Sequence, residues 1–480
     1  MEPLYRRCCG IDVHKKSISV CVLPPAGNSS IGIKEEKFRT FTRDLKRLRK
    51  WLLSCKVTDI VMESTGQYWR PVWNILEEAF PNLILVNPLH VKALAGRKTD
   101  RLDARWLATR LERDDLKGSF IPVRAMRELR DLTRLRVHWL QDLNRVKNRI
   151  SQLCEAGNIK VSSVASNLFG VSGRRMLSAV AKGDRDAGWM ADYARGTLRH
   201  KKSQLELALQ GTFSQHQRQL LGRMLEQLEA LEQQLAKLEV EIVERMQCHS
   251  ELIQRLSTIP GVDDITAWTI IAEVGTDMSI FGDARHLASW AGLCPGNKES
   301  GGKRISGKTR KGNRYVRRAL CQSAWAATRK KDSHLAALFR RVRSRRGEQK
   351  AIMAVAHQLL TIMFHIIGDQ SVYQELGAAH YDVRNKDKVT RKLIQRLTRM
   401  GYCVTVTPIA PSGAIPPPDQ AAYAPAMAAS TIPAAATVQL PRRRGRPCKC
   451  AERQIVCTHS PKMTPNKSKE IPDKGQVRPT

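Results

Sequence analysis

Four carboxylates in the first quarter of the chain have the types and spacing of a site for a hard divalent cation. Asp12 and Glu63 lie in short apolar runs, and Asp100 and Asp103 open a helical pattern. A spacing of three residues places the last two on one face of a helix. Carboxylate oxygens are the ligands that Mg²⁺ prefers, and Mg²⁺ assists the hydrolysis or transfer of phosphodiesters. The set therefore predicts a Mg²⁺ site and phosphodiester chemistry.

Each acid taken alone has an ordinary structural explanation. An aspartate at a strand end is usually solvated, and an aspartate near a helix start often caps the helix. The order strand-Asp, strand-Glu, helix-Asp-x-x-Asp is much less expected by chance, so the cation site is the interpretation we retain.

A second chemical candidate is the segment 296–318, which holds nine Lys or Arg against one Glu, together with five glycines. Glycine lets a backbone approach a ligand closely. We predict a loop that runs into a helix and binds nucleic-acid phosphate. Its candidate binding residues are Lys303, Arg304, Lys308, Arg310, Lys311, Arg314 and Arg317.

Ser300 in this segment is a candidate nucleophile. A serine hydroxyl attacks only when it is activated, and Lys303 and Arg304 can stabilise charge that develops on a phosphoryl group. From chemistry alone, a phosphate-binding loop with an incidental serine is favoured. Ser306 and Tyr315 are further candidates, although no set of His and Arg is apparent around Tyr315.

The elements that must position these residues fall into two kinds. Residues 8–115 alternate strand and helix patterns, which predicts a mixed-sheet α/β domain. The strands are expected at 8–14, 17–23, 36–41, 58–63 and 82–87, and the helices at 42–54 and 67–79.

Residues 123–256 are almost wholly helical in pattern. Apolar residues from Leu221 to Ile242 form a heptad seam, which favours a coiled coil or a long antiparallel hairpin. The seam fits packing within the chain and packing between two copies equally well. Residues 156–215 are less regular.

The turn at 259–262, Ile-Pro-Gly-Val, resembles a helix-hairpin-helix. Such a turn points backbone N–H groups near Gly261 at a phosphate. An ordinary αα-hairpin is the alternative.

Composition indicates a polyanionic partner. The 480 residues carry a formal net charge of +36, which predicts salt-sensitive phosphate contacts but no sequence specificity. We see no apolar run long enough to span a bilayer and no signal peptide, so we expect a cytoplasmic, nucleoid-associated protein without a membrane partner. The 12 scattered cysteines fit reduced core thiols.

Beyond about residue 403 the sequence is rich in Pro, Ala, Ser and Thr, which predicts disorder. The tail contains the segment 441–447, which looks like an AT-hook whose Arg444 and Arg446 would enter a narrow A·T minor groove. The Cys-x-Cys spacing that follows, at Cys448 and Cys450, is poor for structural zinc.

Taken together, the motifs resemble those of the DEDD transposases of bridge-RNA-guided insertion sequences, which are relatives of the Piv-type DNA invertases. The similar motifs cover about 8–120 and 250–370 in the right order. They are Gly-Ile-Asp-Val-His-Lys, Val-Met-Glu-Ser-Thr-Gly, Lys-Thr-Asp-Arg-Leu-Asp-Ala, Ile-Pro-Gly-Val, Ala-Ser-Trp-Ala-Gly-Leu-Cys-Pro and Asn-Lys-Glu-Ser-Gly-Gly-Lys-Arg with Lys-Gly-Asn-Arg.

The resemblance implies an RNase H-like (RuvC) α/β domain, a helical coiled-coil middle and a mostly α transposase domain with a helix-hairpin-helix, followed by a disordered basic tail. It implies that the four acids bind Mg²⁺ and that Ser300, rather than Ser306, attacks DNA. It also implies a homo-oligomer (dimer or tetramer) and a noncoding bridge RNA, with RNA and DNA held by the basic surfaces at 124–149 and 296–318. The expected domain bounds are 1–120, 121–250, 251–375 and 376–480.

Three other functions stay open on the sequence. A RuvC-like junction resolvase would need the acids but no serine, and a DNA invertase would need no RNA. A non-catalytic nucleic-acid-binding protein is the third, although the intact spacing of the four acids and Ser300 argues against it.

Overall fold

The computed structural model describes residues 7–25, 32–64, 66–88, 100–184, 186–296, 298–309 and 311–407, with the backbone alone for 100–102, 298–300 and 303–305. The N-terminal elements are β1 (Cys8–Val13), β2 (Ser17–Val22), β3 (Lys34–Arg39), α1 (Thr42–Ser54), β4 (Asp59–Glu63), α2 (Trp69–Leu76), β5 (Asn82–Val86) and α3 (Asp100–Glu112).

The five strands form one mixed sheet in the order β3-β2-β1-β4-β5. β1 pairs antiparallel with β2 and parallel with β4, and β4 pairs parallel with β5. The α/β mixed sheet predicted from the sequence is thus confirmed, and each strand begins and ends within two residues of its expected position.

Both faces of the sheet are covered, which is why β1 reads as an unbroken apolar run. The face that carries Ile11 and Ile60 packs against α1 and α2. The opposite face, which carries Cys8 and Val61, packs against α3.

The helical middle is a long antiparallel hairpin formed by α4 (Arg124–Ala156) and α9 (Gln215–Met246). Three ion pairs connect the two helices: Glu128 with Arg245, Arg136 with Glu239, and Lys147 with Glu232. Residue numbers rise along α4 as they fall along α9, so the helices run antiparallel. The apolar seam of α9 is buried within the chain at positions such as Leu221, Leu228 and Ile242. The seam therefore packs against α4 of the same chain.

Residues 157–214 form a small helical subdomain at one end of the hairpin. It contains α5 (Val161–Val164), α6 (Val171–Lys182), α7 (Ala187–Ala191), a 3₁₀ turn (Gly196–Lys201) and α8 (Lys202–Leu209). Its core is shared with the adjoining halves of α4 and α9.

The C-terminal helical domain begins where α9 ends. It comprises α10 (Ser250–Ser257), α11 (Asp264–Val274), α12 (Ala284–Trp290), β6 (Lys298–Ser300), β7 (Lys303–Ser306), α13 (Arg314–Ala327), α14 (His334–Arg346) and α15 (Glu348–Asp369), with 3₁₀ turns at Gln247–His249 and Ser279–Phe281. Its helices share one apolar core.

Helix α15 corrects the expectation that the chain has no apolar run of membrane-spanning length. Its 22 residues have the length and composition of a membrane span, and half of the most apolar window is buried inside the structure. Nine of its residues, including Val355, Leu359 and Met363, are buried against the surrounding helices. The helix is therefore the central core helix of this domain.

The helical part of the chain extends beyond residue 375. Two helices, α16 (His380–Arg384) and α17 (Lys386–Arg399), lie in the first part of segment 376–480, which the expected domain bounds assign to a mostly disordered tail. Up to Cys403 the chain forms one compact unit. The tail predictions, including Arg444, Arg446 and the cysteines after them, lie outside the described residues.

Over the described residues nine cysteines are free, of which five are buried, two are half-buried, and Cys248 and Cys403 are exposed. Burial raises the pKa of Cys8, Cys21 and Cys154 to about 12. These thiols are inert core residues.

Candidate functional site

The first candidate site lies at the carboxyl ends of β1 and β4. Ile11 pairs with Met62 in the parallel ladder, so the next residues, Asp12 and Glu63, are neighbours at the same edge of the sheet. Side chains alternate along a strand. Glu63 is therefore on the face of Val61, and that face is covered by α3.

Gly10 brings α3 onto this face of the sheet. A Cβ on Gly10 would overlap the carbonyl oxygen of Ala104 and come within 2.6 Å of the backbone nitrogen of Ala108. The absence of a side chain is therefore what lets the helix backbone approach β1 so closely. Asp12, two residues farther along β1, lies on the same face as Gly10.

The direction of α3 places its first turn near Asp12. The negative charge of Glu112, at the end of α3, helps to raise the pKa of the Cys8 thiol, at the start of β1, so these two residues lie near each other. The helix therefore runs antiparallel to β1, and its beginning, with Asp100 and Asp103, lies toward the carboxyl end of that strand. The structure thus brings Asp12, Glu63 and the first turn of α3 to one edge of the sheet.

Asp12 is the most buried of these acids, with 6% of its surface exposed. Its Oδ2 lies 3.0 Å from Nε2 of His14, so a cationic group faces this carboxylate when His14 is protonated. Asp103 and Glu63 are half-buried, and the side chain of Asp100 lies outside the described ones.

A buried carboxylate needs a cation or hydrogen-bond donors to offset its desolvation. The oxygen-rich edge fits a hard cation in its donor chemistry. Among the side chains that the structure describes, no three His, Cys, Asp or Glu come close enough to hold one ion.

The second candidate site corrects the prediction of a loop. Segment 298–306 is a two-stranded hairpin in which Ser300 pairs with Lys303 and Glu299 pairs with Arg304. Gly301 and Gly302 form the turn with φ of +57° and +71°. A two-residue hairpin turn with both φ values positive favours Gly-Gly, so Ser300 is presented directly beside a tight turn.

The base of this hairpin is fastened by two close backbone contacts. The N–H of Gly296 donates a hydrogen bond of 3.1 Å to the carbonyl of Lys308. Gly312 packs on the backbone of Ala291 and Gly292, where a Cβ would not fit. These glycines serve close packing rather than ligand approach.

Asn313, which follows the hairpin in sequence, connects the start of α13 to the buried interior of the domain. Its Oδ1 accepts hydrogen bonds from the N–H groups of Tyr315 and Val316 and so caps α13. Its Nδ2 donates a 2.6 Å hydrogen bond to Glu273.

Glu273 is the centre of a buried polar network that the sequence patterns did not indicate. The residue is fully buried, and both of its carboxylate oxygens accept hydrogen bonds from Arg134, at 2.6 and 2.8 Å. Arg130 lies 3.2 Å from it and also donates to the backbone carbonyls of Ala272 and Glu273. Burial lowers the pKa of Arg130 to about 10, although Glu273 opposes that shift.

Tyr315 is surrounded by one histidine and two arginines, a set that the sequence alone did not indicate. Nε2 of His138 lies 3.0 Å from its hydroxyl, and Arg314 donates to that hydroxyl at 2.7 Å. The guanidinium groups of Arg134 and Arg314 lie over its ring. His138 is on α4, 177 residues away in sequence. No local motif could have shown this cluster.

The predicted phosphate-binding residues are distributed around this hairpin. Lys308, Lys311 and Arg314 are exposed, and Arg317 is half-buried. Lys303 and Arg304 lie in β7 with only their backbone described, and Arg310 lies outside the described residues.

Gly261 lies in the turn between α10 and α11 with φ of +81°. A Cβ there would lie 2.5 Å from the backbone nitrogen of Ala327 on α13. The turn therefore packs on α13, while its outer side is exposed.

Two family models match the chain, one on each candidate site. Residues 9–156 match the DEDD transposase model of the IS110 type. Residues 253–340 match the model described as transposase, IS116/IS110/IS902 family. The first match spans the acidic edge of the sheet, and the second spans the hairpin and its supporting helices.

Curated relatives agree with these matches. The chain is 25% identical over 378 residues to the transposase for insertion sequence element IS1111A of Coxiella burnetii, covering 76% of this chain and 90% of the relative. It is 34% identical over 150 residues to an uncharacterized insertion element IS110 protein of Streptomyces coelicolor, and 28% identical over 157 residues to an uncharacterized insertion element IS900 protein of Mycobacterium paratuberculosis. The last two matches cover 36% and 39% of those relatives.

Both models match in order on one chain, and the match to the Coxiella transposase runs through both regions. The chain is an enzyme that acts on DNA, a transposase whose two matched regions are similar to the DEDD transposases of IS110/IS116 insertion sequences.

Proposed function

We propose that this transposase recombines the ends of its insertion sequence with target DNA through a covalent intermediate on Ser300, using Asp12, Glu63, Asp100 and Asp103 as a Mg²⁺ site. The observation that carries the proposal is the gathering of Asp12, Glu63 and the first turn of α3 at one edge of the sheet. We interpret this sheet as RNase H-like.

The four acids would hold the metal through carboxylate oxygens. Bound Mg²⁺ would neutralise charge on a phosphodiester and orient it. Within the chain, strand pairing fixes the spacing of Asp12 and Glu63, and Gly10 fixes the distance of α3 from both. His14, in the turn that follows β1, contacts the Asp12 carboxylate and restrains its position.

Ser300 would act as the nucleophile. Its oxygen forms a bond to phosphorus while the bond from phosphorus to a deoxyribose oxygen breaks, and the serine proton leaves to a base as the departing oxygen gains one. A hydroxyl of a second DNA strand then attacks the phosphoserine, restores Ser300 and rejoins the backbone without net hydrolysis. Exposed cations near the hairpin, such as Lys308 and Lys311, would bind the flanking phosphates.

Tyr315 is the second candidate nucleophile, because the structure places His138 and Arg314 on its hydroxyl. A histidine can accept the phenol proton, and an arginine can stabilise the oxyanion. The two candidates differ in the chemistry of the adduct, since phosphoserine is cleaved by alkali and phosphotyrosine resists it.

A noncoding RNA of the element would guide the choice of DNA, and the protein would act as a homo-oligomer, a dimer or tetramer. The family resemblance and the net charge of +36 support a large polyanionic partner. Transposition that proceeds at full rate after removal of all RNA would overturn this part of the proposal.

The experiment that tests the nucleophile compares adduct formation by the wild-type protein, two variants and one control variant. Wild type, Ser300→Ala and Tyr315→Phe are incubated with Mg²⁺, labelled element-end DNA and RNA transcribed from the element's flank. Ser306→Ala is the matched control, because Ser306 lies in the same hairpin opposite Lys298. We expect an alkali-labile protein–DNA adduct in wild type and Ser306→Ala, and none in Ser300→Ala.

Other outcomes select other functions. An alkali-resistant adduct that disappears in Tyr315→Phe would assign the attack to Tyr315. Cleavage without an adduct in every variant would favour a RuvC-like junction resolvase and leave the hairpin as a phosphate-binding element. An RNA-independent adduct would favour an invertase-like reaction.

A further inference from the structure

A cavity of about 220 Å³ lies between α4, α11 and α13. Tyr315, in the first turn of α13, is one of its walls and lies nine residues after Ser306, the end of the hairpin. Pockets for drug-sized ligands have volumes of about 300–1,000 Å³. This cavity is smaller and fits a single planar ring system.

Four hydroxyl groups line one part of the cavity. The hydroxyls of Thr266 and Ser323 bond to each other at 3.1 Å, so one of the two keeps a proton that a ligand can accept. Thr133 and Thr269 each donate to a backbone carbonyl of their own helix, at 3.1 and 2.9 Å. Asp263, which also lines the cavity, caps α11 by accepting a hydrogen bond from the N–H of Thr266.

The walls are apolar and aromatic. Val137 and Leu140 face the cavity from α4, and Trp268 faces it from α11. Tyr315 is held in place by its hydrogen bonds to His138 and Arg314. Fixed aromatic and apolar walls are suited to stacking a flat heterocycle.

Two further hydrogen-bonding side chains line the cavity from α13. Gln322 is exposed and Arg318 is half-buried, and neither has a hydrogen-bond or ion-pair partner in the part of the chain that the structure describes. Arg136, which also lines the cavity, is already paired with Glu239. An amide can both donate to and accept from the edge of a base, and a guanidinium can bind the adjoining phosphate.

From this arrangement we propose that the cavity binds one unstacked nucleobase of a nucleic-acid strand that lies along the hairpin. Trp268 and Tyr315 contact the base, Gln322 binds its edge, and Arg318 binds the neighbouring phosphate. Nucleobases displaced from a stack are bound in this way, between aromatic or apolar side chains with hydrogen bonds to an edge. The inference rests on the proposed function, because it needs a strand at the hairpin.

The test measures the affinity of the full chain for a fluorescein-labelled single strand of DNA in which one nucleotide at a time is abasic. A parallel series uses RNA of the same sequence and shows which strand enters the cavity. We expect one position at which loss of the base weakens binding about tenfold, the effect of one lost stacking contact. The other positions should change little.

Two variants connect that position to the cavity. Ala319→Leu places extra carbon inside the cavity, and Gln322→Ala removes an exposed amide without affecting the core. Both should bind the intact strand more weakly, and Ala319→Leu should bind intact and abasic strands equally. The matched control is Ala230→Leu, the same substitution at an exposed position of α9 outside the cavity and outside the basic surfaces.

Two results would overturn the inference: equal affinity for all strands in wild type, or a position-specific loss that persists undiminished in a folded Ala319→Leu protein. After the first result, a side chain of a protein or peptide would replace the nucleobase as the proposed ligand of the cavity. Adduct formation on Ser300 without base dependence would refute the cavity alone, whereas base dependence without any adduct would refute the proposed reaction alone.

Discussion

The acidic edge of the sheet and the Ser300 hairpin are built on different physical principles. At the edge, strand pairing and the close approach of α3 to Gly10 position the acids among apolar neighbours. The hairpin is held at its base by backbone contacts of Gly296 and Gly312, and Asn313, the residue after Gly312, bonds to a buried carboxylate that two arginines surround. The first site depends on shape alone, whereas the second also depends on charge.

This difference predicts how each site fails. A site fixed by packing is disturbed by added volume and is insensitive to salt. A site fixed by buried ions is disturbed by removal of one charge, because the remaining charges are left without a partner.

The largest effect is expected at the acidic edge. Asp12→Asn removes a charge from the proposed metal site but keeps the side-chain volume. We expect adduct formation and strand transfer to fall at least about 10³-fold, as for loss of several kcal/mol of electrostatic stabilisation. Rates are measured with labelled element-end DNA at saturating Mg²⁺.

Asp59→Asn is the control for that prediction. Asp59 is as buried as Asp12, but it lies at the opposite end of β4 and accepts a hydrogen bond from Thr58. This variant should keep its activity while folded. Equal losses in both variants would show that Asp12 contributes to stability alone.

The second prediction concerns the charged support of the hairpin. Glu273→Gln leaves Arg130 and Arg134 buried without their carboxylate and should lower the free energy of unfolding by about 3–5 kcal/mol. Glu239→Gln removes the partner of Arg136 at a partly exposed site and should cost less than about 1 kcal/mol. Urea unfolding of both variants gives the comparison.

A loss at Glu273 no larger than at Glu239 would contradict the role of a buried ionic support. If the folded Glu273→Gln protein still forms the Ser300 adduct at the wild-type rate, the network positions α11 and α13 but not the hairpin.

The two sites also differ in how far the sequence predicts them. The strands are local patterns of alternating or continuous apolar residues, so their positions and the order of Asp12, Glu63 and Asp103 could be read directly. His138 and Arg134, which contact Tyr315 and Glu273, lie on α4, more than 130 residues away from them. Charge and spacing within one segment cannot indicate such pairs, because they arise only when the helices pack.

The same reasoning explains the hairpin and the helical seam. Five glycines in segment 296–318 suggested an open loop, but two of them form the turn between β6 and β7 and two pack against backbone. The heptad seam showed which face of α9 is buried. It could not show that α4 of the same chain is the partner.

The third prediction sharpens the packing side of the comparison. Gly10→Ala puts a methyl group into the backbone of α3 and should destabilise the protein by about 1–3 kcal/mol, with a loss of Mg²⁺-dependent activity. Gly222→Ala is the matched control, because it lies within α9 with open space around it. That substitution should stabilise by about 0.5–1 kcal/mol. Thermal unfolding of both variants tests the pair, and equal signs would refute the importance of the contact.

The smallest effect is a pH dependence in the helical region. Burial by itself would raise the pKa of Glu375, but hydrogen bonds from the backbone and ring of His334, from Tyr373 and from Gly377 lower it to about 2. A lowered pKa in the folded state means that this carboxylate contributes stability above its ordinary pKa of 4.5, and that the contribution is lost as the pH falls toward about 2.

Glu375→Gln should therefore be less stable than wild type at about pH 7, by about 1–2 kcal/mol once partial solvent exposure is allowed for. The difference should narrow as the pH falls below about 4.5, because the carboxylate then gains a proton in the unfolded wild-type chain while it stays charged in the folded one. Urea unfolding from about pH 7 to pH 3 measures it, with Glu251→Gln as an exposed control that should show no difference. A difference that stays constant across this range would mean that Glu375 acts through its shape and not its charge, and the contrast between the two regions would not extend to this segment.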